Sequence, residues 1–155
     1  MTDGDREILE HFQRTRERTI ELLGRIPDDW LGRTSDGEEH SLGWLFGHIA
    51  HGVDHWMEHC MRDGGSRPEL NDQNKASLLQ SLKASRVRLV SFFTVESGQA
   101  LAETYTRIRK DSDLKESFEG RNRVLYLAQH EAHHRAKIVL ALRQWGITDI
   151  PFMPY

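Results

Sequence analysis

The chain has 155 residues, 37% of them apolar and 29% charged, enough for the core of one ordinary domain and too apolar for a disordered segment. A net charge of -3 without a dominant basic patch argues against nucleic acid as a partner. The single cysteine, Cys60, excludes an intramolecular disulfide, the acidic N-terminus lacks the apolar stretch of a signal peptide, and no apolar run approaches the ~20 residues that span a membrane. The expectation is one cytoplasmic domain, residues 1–155, without a membrane partner.

In chain order, Ile8, Phe12, Thr15, Thr19, Leu22 and Leu23 recur at helical spacing and predict a first helix from Asp5 to about Leu23. Gly24 is its expected C-cap, and Pro27 bars continuation. Arg14, Arg16 and Arg18 alternate with Glu10, Glu17 and Glu21, which reads as a solvated helix face. Trp30 and Leu31, in the polar connection that follows, are expected to fold back on the core. Ser41 is the N-cap of a second helix running to about Met61, before Gly64 and Gly65, with Trp44, Leu45, His48, Ile49, Gly52, Trp56 and Met57 on its buried side. A third helix is expected to start after Asn71 or Asp72 and to reach about Glu96, with Leu78, Leu79, Leu82, Ser85, Val87, Leu89, Phe92 and Phe93 on a broad apolar face.

Residues 98–121 scatter Leu101, Tyr105, Ile108, Leu114 and Phe118 among charges. They are expected to form a long, partly helical crossing connection, because no stretch shows strand alternation. Asn122 is the expected cap of a fourth helix ending at Trp145 and Gly146. Phe152, Met153 and Tyr155 in the tail are expected to pack on the bundle or on a second subunit. The sum is an all-α protein, a four-helix bundle with long crossover connections.

Seven of the nine histidines fall in two groups: His48, His51, His55 and His59 on the second helix, and His130, His133 and His134 on the fourth. On a wheel of roughly 100° per residue the first four share one narrow stripe with Trp44. A stripe of imidazoles is odd for a core, which prefers Leu and Ile. His59, near the helix end, reads as an exposed cation suited to the dipole. His130 and His134, four apart, share a helix face and can share one metal ion. An open catalytic site wants a third protein ligand, and His48 has the most apolar neighbours. His51, His55 and Glu131 are candidates for the pocket or for proton transfer. Trp44, Trp56 and Tyr126 could line an apolar pocket, although aromatic residues at this spacing are more often core.

Two other signatures fail. His130-Glu131-Ala132-His133-His134 is literally H-E-x-x-H, but the chain holds no downstream His or Glu to complete a zinc protease site. Glu131-x-x-His134 is half of a di-iron bundle motif whose partner is absent elsewhere.

The runs Ser41-Leu-Gly-Trp44-Leu-Phe-Gly-His48-Ile-Ala-His51 and His130-x-x-x-His134-Arg135-Ala-Lys-Ile138, the latter continuing to Gly146, resemble the DinB/YfiT-like metalloenzyme family. Ala136-Lys137 departs from the commoner Gly-Gln at that place. The resemblance implies a four-helix bundle, often a homodimer, with His48, His130 and His134 around a divalent metal, commonly zinc or nickel, and water completing the shell. It also implies a small-molecule substrate, with a low-molecular-weight thiol as cosubstrate in thiol-dependent transferases or isomerases. The alternative is a non-catalytic metal-binding or stress-response bundle whose site is structural or vestigial. A further alternative is a metal-free bundle whose histidines serve packing or pH response.

Overall fold

The computed structural model describes residues 1–57, 74–96, 101–108 and 114–150. His59, Cys60, Gly64, Gly65, the expected third-helix start at Asn71 or Asp72, and the C-terminal Phe152, Met153 and Tyr155 lie outside them. Four helices, α1 (Asp3–Arg25), α2 (Leu42–Trp56), α3 (Lys75–Ser91) and α4 (Gly120–Gln144), form a bundle. Around it the order is α1, α4, α2, α3, so α1 faces α2 across one diagonal and α3 faces α4 across the other. The connections from α1 to α2 and from α3 to α4 both cross a diagonal, which is why both are long.

Local chemistry sets the helix ends. Thr2 caps α1 with a capping box: its hydroxyl accepts from the Asp5 N–H, and the Asp5 carboxylate accepts from the Thr2 N–H. The helix runs past Gly24 to Arg25, with Ile26 at the cap position. Ser41 caps α2 through the Trp44 N–H, and Asn74 caps α3 through the Ser77 N–H. α3 passes into a π-helical segment at Phe92–Glu96. Gly146 ends α4 at φ 89°, donating to the Arg143 carbonyl while Ile147 donates to that of Leu142, a Schellman arrangement that requires a left-handed residue.

The expected helical crossing at residues 98–121 is instead an antiparallel hairpin, β1 (Thr104–Ile108) and β2 (Lys115–Glu119), pairing Tyr105 with Phe118. Its inward side packs Phe118 edge-on against Trp56 at 5.6 Å, with Glu116 half-buried on the same side, while Lys115 and Glu119 face water. The hairpin also moves the start of α4. Gly120 and Arg121 donate to the carbonyls of Glu103 and Leu101, so the first orphan N–H groups of the helix are satisfied by backbone, and Asn122 is not the cap.

The core has two apolar halves. One gathers Leu22, Phe46, Ile49, Leu78, Leu82, Ile138 and Leu142, and the other Phe12, Val53, Trp56, Leu89, Phe93, Val124 and Leu127. Between them on α1, α3 and α4 lies a buried polar layer of Thr15, Arg16, Thr19, Ser85, Glu131 and Arg135. Arg16, expected on a solvated face, is fully buried there: its Nε donates to both Glu131 carboxylate oxygens at 2.9 and 3.0 Å, and its Nη1 to the Leu82 carbonyl and the Ser85 hydroxyl. Arg135 donates to the Thr15 carbonyl. Val87, expected on the inner face of α3, is 59% exposed. Leu31 is buried and Trp30 packs half-buried against Trp145, as expected, with the Arg33 guanidinium over both rings.

Candidate metal centre

His48 on α2 and His130 and His134 on α4 converge at the level of the polar layer. One ring nitrogen from each lies within 4.8 Å of the others, and the His130 Nε2 is 3.1 Å from the Nε2 of each of the other two. The convergence follows from phase. Residues 130 and 134 are one turn apart on the α2-facing side of α4, and His48 sits on the side of α2 that meets them. Two zinc–nitrogen bonds of the usual length at a tetrahedral angle put their nitrogens ~3.3 Å apart. The observed spacing is therefore that of ligands already gathered for an ion.

The electrostatics suit ligation. Partial burial lowers all three pKa values, His48 to about 4 and His134 to about 3, with the neighbouring imidazoles adding to the effect. For His130 the Glu131 carboxylate works in the opposite direction. The imidazoles are thus neutral at physiological pH, the form a metal requires. Neutral nitrogens crowded together with one proton each cannot all be satisfied by one another, and the buried His134 Nδ1 has no hydrogen-bond partner among the described residues. The donor set fits a borderline divalent cation such as zinc or nickel better than calcium or magnesium, which select oxygen.

Rings flank the cluster. Trp44 stacks on His48 at 4.6 Å, and His40 stacks on the other face of Trp44 at 3.5 Å. Tyr126 lies nearly parallel to His130 at 6.2 Å. His40 went unnoticed in the sequence because it precedes the helix, yet it continues the spacing of four through Trp44 to His48. His51 and His55 are half-buried on α2, near-parallel at 6.3 Å, and contribute no nitrogen to the cluster. Glu131 does not reach the centre either. It is one helical step from His130, about 100° around α4, and that step turns it toward α1 and Arg16. A carboxylate held by two bonds to a buried guanidinium is no proton shuttle. Lys137, at the family's departure from pattern, pairs with Glu38 at 3.0 Å and ties α4 to the connection before α2.

The chain matches the DinB family over residues 1–154, and it belongs to that family. It is similar to YjoA, an uncharacterised protein of Bacillus subtilis, at 24% identity over 152 residues covering 94% of each chain. Among solved structures it resembles a DinB-like protein of Bacillus cereus, with a TM-score of 0.74 at 16% identity over 96% of this chain and 94% of that one. It also resembles the structure of YjoA, with a TM-score of 0.58 at 17% identity over 95% and 97% of the two chains. These likenesses carry the fold. Among the described residues no helix is long and apolar enough to cross a membrane.

Proposed function

We propose that the chain is a divalent-metal-dependent enzyme acting on a small molecule, with a low-molecular-weight thiol as cosubstrate in an S-transfer or isomerisation reaction. The observation that carries the reading is the meeting of three neutral imidazole nitrogens from two helices at a half-buried position. His48, His130 and His134 would hold the ion. Zinc or nickel held there would act as a Lewis acid, lowering the pKa of a thiol or water and giving a nucleophile at neutral pH. Trp44 and Tyr126, beside two of the ligands, present apolar ring faces that keep bulk water from the reacting groups. We assign proton transfer to His51 or His55, which share the stripe of α2 with His48. Cytoplasmic location and pairing with a second copy of the chain belong to the same proposal.

The second reading, a non-catalytic metal-binding or stress-response bundle with a structural site, needs a closed shell of four protein ligands. The gathered set among the described residues has three, which favours the open site. The test is elemental analysis of untagged protein, wild type beside His48→Ala and His134→Ala. About one divalent ion per chain, lost in both variants, supports the three-histidine site. No metal in the wild type after incubation with zinc or nickel overturns it. Screening thiol transfer with the loaded protein then separates enzyme from binding protein.

A further inference from the structure

α2 carries a glycine at position 52, one turn before its end and facing α4. Glycine is among the least favourable residues for a helix interior, so an interior glycine asks for a reason. Backbone conformation is not that reason, because among the described glycines the positive φ angles belong to Gly37 and Gly146. Packing is. A Cβ built at Gly52 would lie 3.2 Å from His130 Cε1 and 3.5 Å from His130 Nδ1, with no other non-neighbouring atom among the described residues within 4 Å. The missing side chain therefore leaves room for one thing, the Cε1–Nδ1 edge of the His130 ring.

We infer that Gly52 is a positioning residue for the candidate metal centre: its bare Cα lets the His130 ring lie against α2 so that Nε2 reaches the point shared with His48 and His134. The inference rests on the proposed metal site. Carbon atoms in comfortable contact sit about 3.5–4.0 Å apart, so a methyl group at position 52 would push the ring away by a few tenths of an ångström or more. Metal–ligand distances tolerate only about 0.2 Å of error. Tyr126 lies 6.2 Å from one side of the ring, and the Nε2 atoms of His48 and His134 stand 3.1 Å from its own, so a ring moved off position 52 changes its place relative to both other nitrogens. The displacement falls on the ligand geometry.

The test uses the untagged full chain with Gly52→Ala and Gly52→Val, and three readouts: zinc affinity by competition with a chromophoric chelator, the proton–carbon NMR signal of His130 Cε1–H in metal-free protein, and unfolding by far-ultraviolet circular dichroism. Gly52→Ala is expected to keep its helix content and unfolding midpoint, to shift the His130 signal, and to bind zinc about tenfold more weakly. Gly52→Val is expected to weaken binding further. If the valine variant does not fold, the alanine variant decides alone. Unchanged affinity with an unshifted His130 signal in Gly52→Ala overturns the inference. If the wild type binds no zinc, the proposed function fails, and the His130 signal in metal-free protein still decides whether Gly52 sets the ring: a shift upholds that placement and no shift overturns it.

Discussion

Arg16 and Glu131 meet 2.9 Å apart from opposite ends of the chain, and neither side chain reaches water. Removing one member strands the other's charge in the core. Arg16→Met or Glu131→Gln is expected to lose about 3–5 kcal/mol of stability, while the apolar double replacement Arg16→Met with Glu131→Leu recovers most of it. Urea denaturation of the two single variants and the double variant checks this. Equal losses in all three would show that the pair adds hydrogen bonding beyond its charge balance.

Zinc is expected to stabilise the folded chain alone, because the three ligands come together only in the bundle. At a free concentration about a hundred times the dissociation constant the gain is about 2.7 kcal/mol, raising the midpoint of thermal unfolding by roughly 5–11 °C for a domain of this size. His48→Ala is expected to abolish the shift. A shift retained in that variant would place the metal elsewhere.

Acid is expected to weaken the metal-free protein through the same cluster. The folded-state pKa values of His48 and His134, about 4 and about 3, lie below the ordinary 6.5. Between those values the unfolded chain binds protons that the folded chain does not, so stability falls as pH drops. The contribution is fully present above the ordinary value and is lost progressively down to the folded ones. Urea midpoints measured from neutral pH down to pH about 5, a span that crosses the ordinary histidine pKa, are expected to decline less steeply for His48→Gln and His134→Gln than for the wild type. Parallel curves would contradict this.

Gly146→Ala is expected to cost about 1 kcal/mol, since only a residue at ease in left-handed backbone can close the end of α4 with both of its hydrogen bonds. Zinc affinity should not change, because the ligands lie about three turns and more up the helix. Chemical denaturation alongside chelator competition separates the two effects.

The bundle and the histidine constellation were legible because both rest on helical phase. Leu127, Ile138, Ala141 and Leu142 are all buried, and the stripe containing His48 does meet His130 and His134. The hairpin was not legible because its strands bury little: in Lys115–Glu119 the half-buried positions are Glu116 and Phe118, a charge beside an aromatic ring, which makes no apolar alternation to see. Arg16 was misread because charged neighbours surround it in sequence, whereas its solvation is decided by Glu131, 115 residues away. For Glu131 the wheel already held the answer, since a residue adjacent to His130 cannot share its face.

α4 is fastened on two sides at once. His130 and His134 look toward α2, while Glu131 and Arg135 look toward α1. These four residues admit no change of spacing: one residue inserted or deleted between Glu131 and His134 would rotate the downstream pair by about 100° away from its partners. Point substitutions there can be graded, but insertions and deletions cannot, because each moves a histidine and a member of the buried polar layer together.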